Sequence, residues 1–356
     1  MKIGIVTYHR AHNYGAILQA IATRIVLQNM GQDVSYIDYW PKYHKEAYKF
    51  FSWKRFRKSP FVYLKGRITL GIPIWNRIKH FENDINEYIT PYCKPYCLDE
   101  PPYDCVIYGS DQIWRRQIAT KRLNPVYFGQ NEISAIKHIT YAASMGKMID
   151  TPKEKAQIAQ WIKKFEAISV REMELQTLVE GFDRNVKLVL DPTLLLSSDQ
   201  WDSIIHPRPI KKTGYVLYYS LNAGAFDINA IKKFADSKGL RVVEIKGVAG
   251  YDSDSVISQC GPRDFVSLIK HADYVFTTSY HGLLFSIIYH KEFYTSFVTN
   301  AGRAKSILKI IKQSNRLVQP CTKEIPIFPK IKYEDVDESI EPMRIQSINF
   351  LKNAIV

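Results

Sequence analysis

The sequence predicts an α/β protein built from two Rossmann-like, doubly wound domains. Three observations predict it. Apolar runs of strand length alternate with segments of helical spacing, the alternation restarts after a Pro- and Lys-rich stretch near residue 206, and polar residues gather just after the apolar runs. At 356 residues the chain is also longer than one compact core of ordinary size.

The elements follow in order. KIGIVTY, residues 2–8, is a short β-branched strand, AILQAIATRIVLQNMG has helical spacing with a Gly stop, and DVSYIDY alternates apolar and polar. Together they make a βαβ opening. After an insertion at 41–81 come the strands DCVIYGS and HITYAAS, the helix KEKAQIAQWIKKF, the strand AISVRE, a second helix from Glu172, and VKLVLDPTLLL. The second half runs through GYVLYYSL, the helix INAIKKFADSKG, LRVVEIKG, the helix RDFVSLIKHA, YVFTTSY, a helix from Gly282, EFYTSFV and the helix KSILKIIKQSN. The stretch HPRPIKKTG, residues 206–214, marks the boundary. The expected domains are therefore 1–205 and 206–330, followed by a closing helix at 331–356.

Composition narrows the class. A hydrophobic share of 46% with 24% charged residues is that of a folded globular protein. No run reaches the roughly 18 to 20 apolar residues of a membrane span, and the opening residues do not read as a signal peptide, so a cytoplasmic chain is expected. Five cysteines fit reduced thiols. Cys93-x3-Cys97, with Cys105 nearby, is followed by no histidine at ligand spacing, so no metal is expected.

The net charge of +14, from 49 basic and 35 acidic residues, is unevenly placed. Residues 41–81 hold eleven Lys or Arg against one acid, Glu46, interleaved with rings such as Tyr48, Trp53, Phe61 and Trp75. Cations and rings together suit the interface of an anionic bilayer. Single-stranded nucleic acid and a plain solvated insertion are the competing readings. The expected partner is the membrane surface, with no nucleic acid.

In doubly wound folds, ligands gather at the carboxyl ends of the strands. His9, His12, Asn13, Tyr14 and Gly15 follow the first strand, and Ser110, Asp111 and Gln112 follow DCVIYG. Ser144, Arg171, Glu172 and Asp191 follow later strands, and Ser279, Tyr280, His281 and Gly282 follow YVFTT. Ser279 can cap the helix beginning near Gly282, whose free N–H groups and dipole would hold a phosphate or carboxylate. Gly282 would let a ligand approach the backbone, and His281 could donate a proton to it. A histidine merely bonded to a backbone carbonyl at a helix start is the structural alternative. The chain has no G-x-G-x-x-G after its first strand, no P-loop, no H-E-x-x-H and no G-x-S-x-G, which weighs against dinucleotide oxidoreductases, P-loop ATPases, zinc proteases and α/β-hydrolases.

The stretches NYGAILQA (13–20), YGSDQIW (108–114), YAASMG (141–146), SVRE (169–172), LDPTLL (190–195) and TSYHGLLFS (278–286) together resemble the polysaccharide pyruvyl transferases. They stand in that family's order and span most of the chain. The resemblance implies a two-domain fold like the GT-B glycosyltransferases. It implies transfer of a pyruvyl group from phosphoenolpyruvate to a sugar as a cyclic ketal, with the first domain on the acceptor side and the second on the donor side. It carries Arg171 over as a donor ligand and His281 as the acid or base. Ser279 stands where some relatives have an arginine, so Arg303 and Lys305 are the candidates to complete the donor clamp, beside Ser279, Tyr280 and Gly282. Asp111 is the candidate base, and His12, Asn13, Tyr14, Gly15, Ser110, Gln112 and Ser144 are the acceptor candidates. No cofactor is expected beyond phosphoenolpyruvate as donor substrate. The basic insertion would hold the enzyme at the inner face of the cytoplasmic membrane, where a lipid-linked sugar is displayed. A nucleotide-sugar glycosyltransferase and a noncatalytic glycan-binding protein are the alternative readings.

Overall fold

A computed structural model of the chain describes residues 1–51, 53–96, 102–118, 120–209, 214–221, 224–245, 256–257, 260–299 and 301–356. Cys97 and residues 210–213 of the expected domain boundary lie outside the described residues.

The βαβ opening is β1 (Lys2–Val6), α1 (Tyr14–Asn29) and β2 (Asp33–Asp38). Helix α1 starts where Asn13 caps it, the Asn13 side chain accepting from the Ala16 N–H at 3.1 Å. The insertion folds as α2 (Lys42–Tyr48), α3 (Trp53–Lys58) and the long α4 (Pro60–Tyr88), which contains Pro73. The first half continues through β3 (Cys93–Pro95), β4 (Tyr103–Gly109), β5 (Ala135–Tyr141), α5 (Pro152–Trp161), β6 (Ile168–Val170), α6 (Met173–Glu180), β7 (Val186–Leu188) and α7 (Ser198–Ile205). The second half holds β8 (Tyr215–Tyr219), α8 (Ile228–Ser237), β9 (Arg241–Ile245), β10 (Val256–Ile257), α9 (Pro262–Lys270), β11 (Tyr274–Thr277), α10 (Tyr280–Ile288), β12 (Glu292–Thr295) and α11 (Gly302–Ile310). Helix α12 (Tyr333–Ile355) closes the chain. Among the described residues no helix is long and apolar enough to cross a membrane.

The two five-stranded sheets are parallel, with strand orders β3-β2-β1-β4-β5 and β10-β9-β8-β11-β12. Parallel bridges from Ile139 to Ala167 and from Ala143 to Val170 bring β6 beside β5, and β7 pairs with β6. Helices cover both faces of such sheets, so the strands read as nearly continuous apolar runs: Ile3, Ile5 and Val6 of β1 are all fully buried. In each half the winding direction reverses beside the first strand, between β1 and β4 and between β8 and β11. A crevice opens at the carboxyl ends of the strands at such a reversal.

Among the contacts that join the two halves are those of α1, α12 and α4. Tyr14 stacks on Phe265 of α9 at 4.7 Å and donates to the Cys260 carbonyl at 3.1 Å. Helix α12 begins on the second half, where the Tyr333 hydroxyl donates to the Lys291 carbonyl at 2.5 Å. It ends on the first, where Ser347 Oγ accepts from the Leu190 N–H at 2.9 Å. Finally, α4 meets α9 through His80 and Asp264 at 2.9 Å, and through Asp84, which accepts from the Arg263 N–H at 2.9 Å.

Asp84 makes this contact pH-sensitive. Burial pushes its carboxyl up to about 6, against the lowering effect of the Arg263 N–H. A raised carboxyl favours the protonated folded state, so its contribution is present below the ordinary carboxylate range near pH 4 and is lost as pH rises through about 6. Asp84→Asn is therefore expected to gain on the order of 1–3 kcal/mol relative to wild type between pH 4 and 7.5. Urea midpoints at the two pH values check this. A gap between the proteins that does not change with pH contradicts it.

Candidate active site

The strand β11 ends at Thr277, the chain turns, and Ser279 caps α10 by accepting from the Gly282 N–H at 3.3 Å. His281 is thus in the first turn of α10, and its ring reaches across to the first turn of α1. A Cβ built on Gly15 would lie 1.9 Å from His281 Nδ1, so only glycine admits the imidazole. His281 Nε2 lies 3.5 Å from Asp191 Oδ2 without hydrogen-bond geometry. Asp191 is fully buried and accepts from the Thr193 N–H at 3.1 Å, the Thr193 hydroxyl at 2.8 Å, and Arg171 Nη1. Burial pushes the Asp191 carboxyl up, but the Arg171 and His281 charges outweigh burial and hold it well below the usual range.

This contact gives a sharp expectation for Gly15→Ala. The added methyl displaces the imidazole, so kcat should fall roughly 100-fold or more, with an overpacking cost of about 1–3 kcal/mol. In a His281→Ala background the same substitution should cost little, because the colliding ring is gone. Steady-state kinetics and melting of the single and double variants test it, and wild-type kcat in Gly15→Ala would refute it.

Asp111 follows β4 with φ 63°, a left-handed conformation that Asp tolerates better than most residues. Its Oδ1 accepts from the Gln112 N–H at 2.7 Å and lies 3.3 Å from Arg171 Nη2. Burial pushes the carboxyl up, yet Arg171, then His281 and Arg303, bring it below the ordinary value. Asp111 is thus ionised at neutral pH. A carboxylate held low is a weaker proton acceptor than an ordinary one, which favours an electrostatic role beside any base role.

Ser279, His281 and Asp111 face one cleft of about 430 Å³ between the two halves. The first half contributes Tyr8, Asn13, His44, Asp111, Gln112 and Arg115 to its wall, and the second contributes Ser279, Tyr280, His281 and Arg303. Arg303 stands 4.9 Å over the Tyr280 ring and 3.8 Å from Glu172 Oε1, and its buried Nε has no hydrogen-bond partner. A larger groove of about 610 Å³ runs along α12, but it opens beside Glu166 and Asn185 at the amino ends of β6 and β7, away from the carboxyl-end residues.

Asn13, Asp111, Gln112, Ser279, Tyr280 and His281, which stand at strand ends, line this cleft together, and so does Arg303, named from the resemblance. Others do not. Arg171, expected as a donor ligand, lies behind the wall: its fully buried guanidinium is held by Asp191, by Ser110 Oγ at 3.1 Å and by Asp111, and it sits 5.0 Å over Tyr280. Ser110 belongs to that same buried network, and Ser144 donates to Glu172 Oε1 at 2.5 Å, so neither reaches an acceptor. His12 is paired with Glu82 at 2.7 Å and stacked on Tyr48 at 4.8 Å, while Tyr14 joins the halves. Lys305 is exposed on α11, outside the cleft lining. Gly282 is needed for packing, since a Cβ there would lie 2.4 Å from Thr277 Oγ1.

The wall also holds residues that sequence reasoning passed over. Arg115 follows the GSDQIW stretch directly and was accessible to the strand-end argument. His44 and Tyr48 come from α2, inside the basic insertion, and nothing in their spacing marks them. Burial and then Arg115 push the His44 imidazole down to about 4, so it presents a neutral ring. Among the described residues one metal-like cluster exists, His9, Asp38 and Cys93, with ligand atoms within 4.8 Å of one another. It suits a cation poorly, because Arg10 forks onto Asp38 at 2.6 and 2.8 Å and burial pushes the Cys93 thiol up to about 11.

Two doubly wound halves with a polar, cation-bearing cleft at their strand ends define a protein of the GT-B-like class. The sequence profile of the polysaccharide pyruvyl transferase family matches residues 13–296, and the chain belongs to that family. No curated protein sequence matches it. Among solved structures it is similar to the UDP-GlcNAc 2-epimerase of Methanocaldococcus jannaschii in complex with UDP-GlcNAc and UDP, at 10% identity and TM-score 0.49 over 97% of this chain and 93% of that one. It is also similar to the E. coli heptosyltransferase WaaC with ADP, at 12% identity and TM-score 0.42 over 96% and 100% of the two chains. The Neisseria meningitidis UDP-GlcNAc 2-epimerase bound to UDP-GlcNAc is 10% identical, with TM-score 0.45 over 99% and 94%. With every one of these TM-scores below 0.5, strand order and cleft position carry the fold.

Proposed function

We propose that the protein moves a pyruvyl group from phosphoenolpyruvate to a pair of hydroxyls on a lipid-linked sugar, releasing phosphate. The observation that carries this reading is the pairing, in one cleft, of His281 with the guanidinium of Arg303 and the ionised Asp111. Phosphoenolpyruvate brings a carboxylate and a phosphate, and Arg303 and Arg115 supply planar forks for them, while the first turn of α10 adds backbone N–H groups. Arg171 acts from behind the wall by holding Asp111 and Asp191 in place.

The bond changes follow from that arrangement. His281 protonates the methylene carbon, and positive charge develops on the carbon bearing the phosphate oxygen. The Asp111 carboxylate stabilises that charge. One sugar hydroxyl attacks the carbon, the carbon–oxygen bond to phosphate breaks, and the second hydroxyl closes the ketal. Of the two hydroxyl protons, one balances the proton given to the methyl group and the other leaves with phosphate. Tyr8, Asn13 and the neutral His44, which line the same cleft, offer the hydrogen-bonding groups and ring faces that a sugar requires.

The test is product identity. The full-length protein is incubated with phosphoenolpyruvate or a nucleotide sugar and a panel of acceptors. Phosphate release dependent on acceptor supports the proposal, nucleotide release supports a glycosyltransferase, and neither product with a suitable acceptor points to a glycan-binding protein. Mass spectrometry of lipid-linked glycans from a strain lacking the protein identifies the acceptor.

A further inference from the structure

The insertion that contributes His44 and Tyr48 to the cleft also carries a long apolar face that no described residue covers. Helix α4 changes its surroundings along its length. Its last turns are core, with Phe81, Ile85 and Tyr88 buried, whereas Phe61 is 88% exposed, Ile68 83%, Ile72 74% and Trp75 55%. With Leu64, these residues fall at spacings of three and four, which at 3.6 residues per turn keeps them within roughly 80° of one another around the helix. In α3, Trp53 is 65% exposed and meets Phe51 edge-on at 5.4 Å. Singly exposed apolar residues are ordinary, but an aligned face of rings and branched chains marks an interaction surface.

Charge identifies what it meets. Residues 53–79 contain eight Lys or Arg and no acid, and Arg57, Lys58 and Lys65 are exposed. The side chains of Lys54, Arg55 and Tyr63 lie outside the described ones. Six of these cations fall within residues 53–75, which carry the face, so a second copy of the chain would bring six against six, which opposes self-association through it. Nucleic acid stacks its bases on rings, and the middle of this stripe is Leu64, Ile68 and Ile72, which have no ring face. A bilayer accepts aliphatic chains and rings alike while its headgroups meet the cations. We propose that the face formed by α3 and the first four turns of α4 docks on an anionic lipid bilayer, with the α4 stripe at the boundary between headgroups and acyl chains. The root of this face is tied to the cleft: Trp75 meets Phe50 edge-on at 5.7 Å, and two residues earlier Tyr48 lines the cleft. Docking therefore sets the cleft beside the membrane whatever group the site transfers.

The experiment is co-sedimentation of the full-length protein with phosphatidylcholine vesicles, with and without phosphatidylglycerol. Binding is expected only with phosphatidylglycerol, and it should weaken as salt rises. Replacing Lys54, Arg55, Arg57 and Lys58 with Gln should weaken it by about fivefold per cation at low salt. The triple variant Phe61→Ser, Ile68→Ser, Ile72→Ser should lose roughly tenfold or more at any salt, with circular dichroism and turnover of a water-soluble acceptor unchanged. Equal partition to both vesicles, no binding to either, or wild-type binding by the triple variant overturns the proposal. So does a dimer that this triple variant abolishes, which would assign the face to a second copy.

Discussion

His281→Ala is expected to fold normally and to lower kcat by roughly 10²- to 10⁴-fold, the usual worth of a positioned proton donor. The fold should survive because the lost ring lies at a polar cleft and because its neighbour keeps its partners: Asp191 retains Arg171 and both groups of Thr193. His281→Gln separates chemistry from packing, since the amide fills part of the ring's place but carries no exchangeable charge. Both variants should therefore lose kcat while the KM for phosphoenolpyruvate, set by Arg303 and Arg115, moves little. Phosphate release at saturating donor and acceptor checks this together with a melting curve. Unchanged kcat in either variant removes His281 from the chemistry and leaves it a packing residue at the start of α10.

The parts of this molecule that were legible in the sequence are those governed by local rules. The strands were readable because a parallel sheet buried on both faces needs apolar runs, and His281, Ser279 and Asp111 were readable because they stand one turn beyond such runs. Helix α7 was missed although Ser197 and Gln200 form a capping box, a local signal that was available. Strand β3, three residues long and ending in Pro95, gives too few positions for a pattern. The remainder depends on contacts between distant segments. Nothing near Gly15 reveals that it faces a ring 266 positions later, and Tyr14, beside the expected acceptor residues, is instead held by Phe265 of the other half. The insertion was legible as basic and aromatic, but that His44 and Tyr48 of α2 line the cleft follows only from the placement of α2 against Tyr8, where His44 meets the Tyr8 ring edge-on at 4.9 Å.

Arg171→Ala is expected to damage stability first and donor binding only as a consequence. Sequence position made this residue a donor ligand, yet its guanidinium sits behind the cleft wall with two carboxylates, Asp191 and Asp111, on it. Removing one partner of a buried pair leaves an uncompensated charge, which costs about 3–5 kcal/mol. The pH dependence gives the sign. In the wild type both carboxyls are held below their ordinary value, Asp191 further than Asp111, so their contribution is present above the ordinary carboxylate range and fades as pH falls through their lowered values. Without Arg171 those carboxyls lose a lowering charge, and protonation relieves the unpaired sites. The destabilisation relative to wild type should then be largest near pH 7 and shrink towards pH 4. Arg303→Ala should behave in the opposite way, melting close to wild type while raising the KM for phosphoenolpyruvate, because Arg303 lines the cleft and its carboxylate neighbour, Glu172, stands 3.8 Å away without a hydrogen bond to Arg303 Nε and keeps the Ser144 hydroxyl and the Met145 N–H as partners. Urea titrations at both pH values and calorimetric titration of donor into each variant decide the matter. An Arg171→Ala protein with wild-type stability and a selective loss of donor affinity would return that residue to the wall of the site.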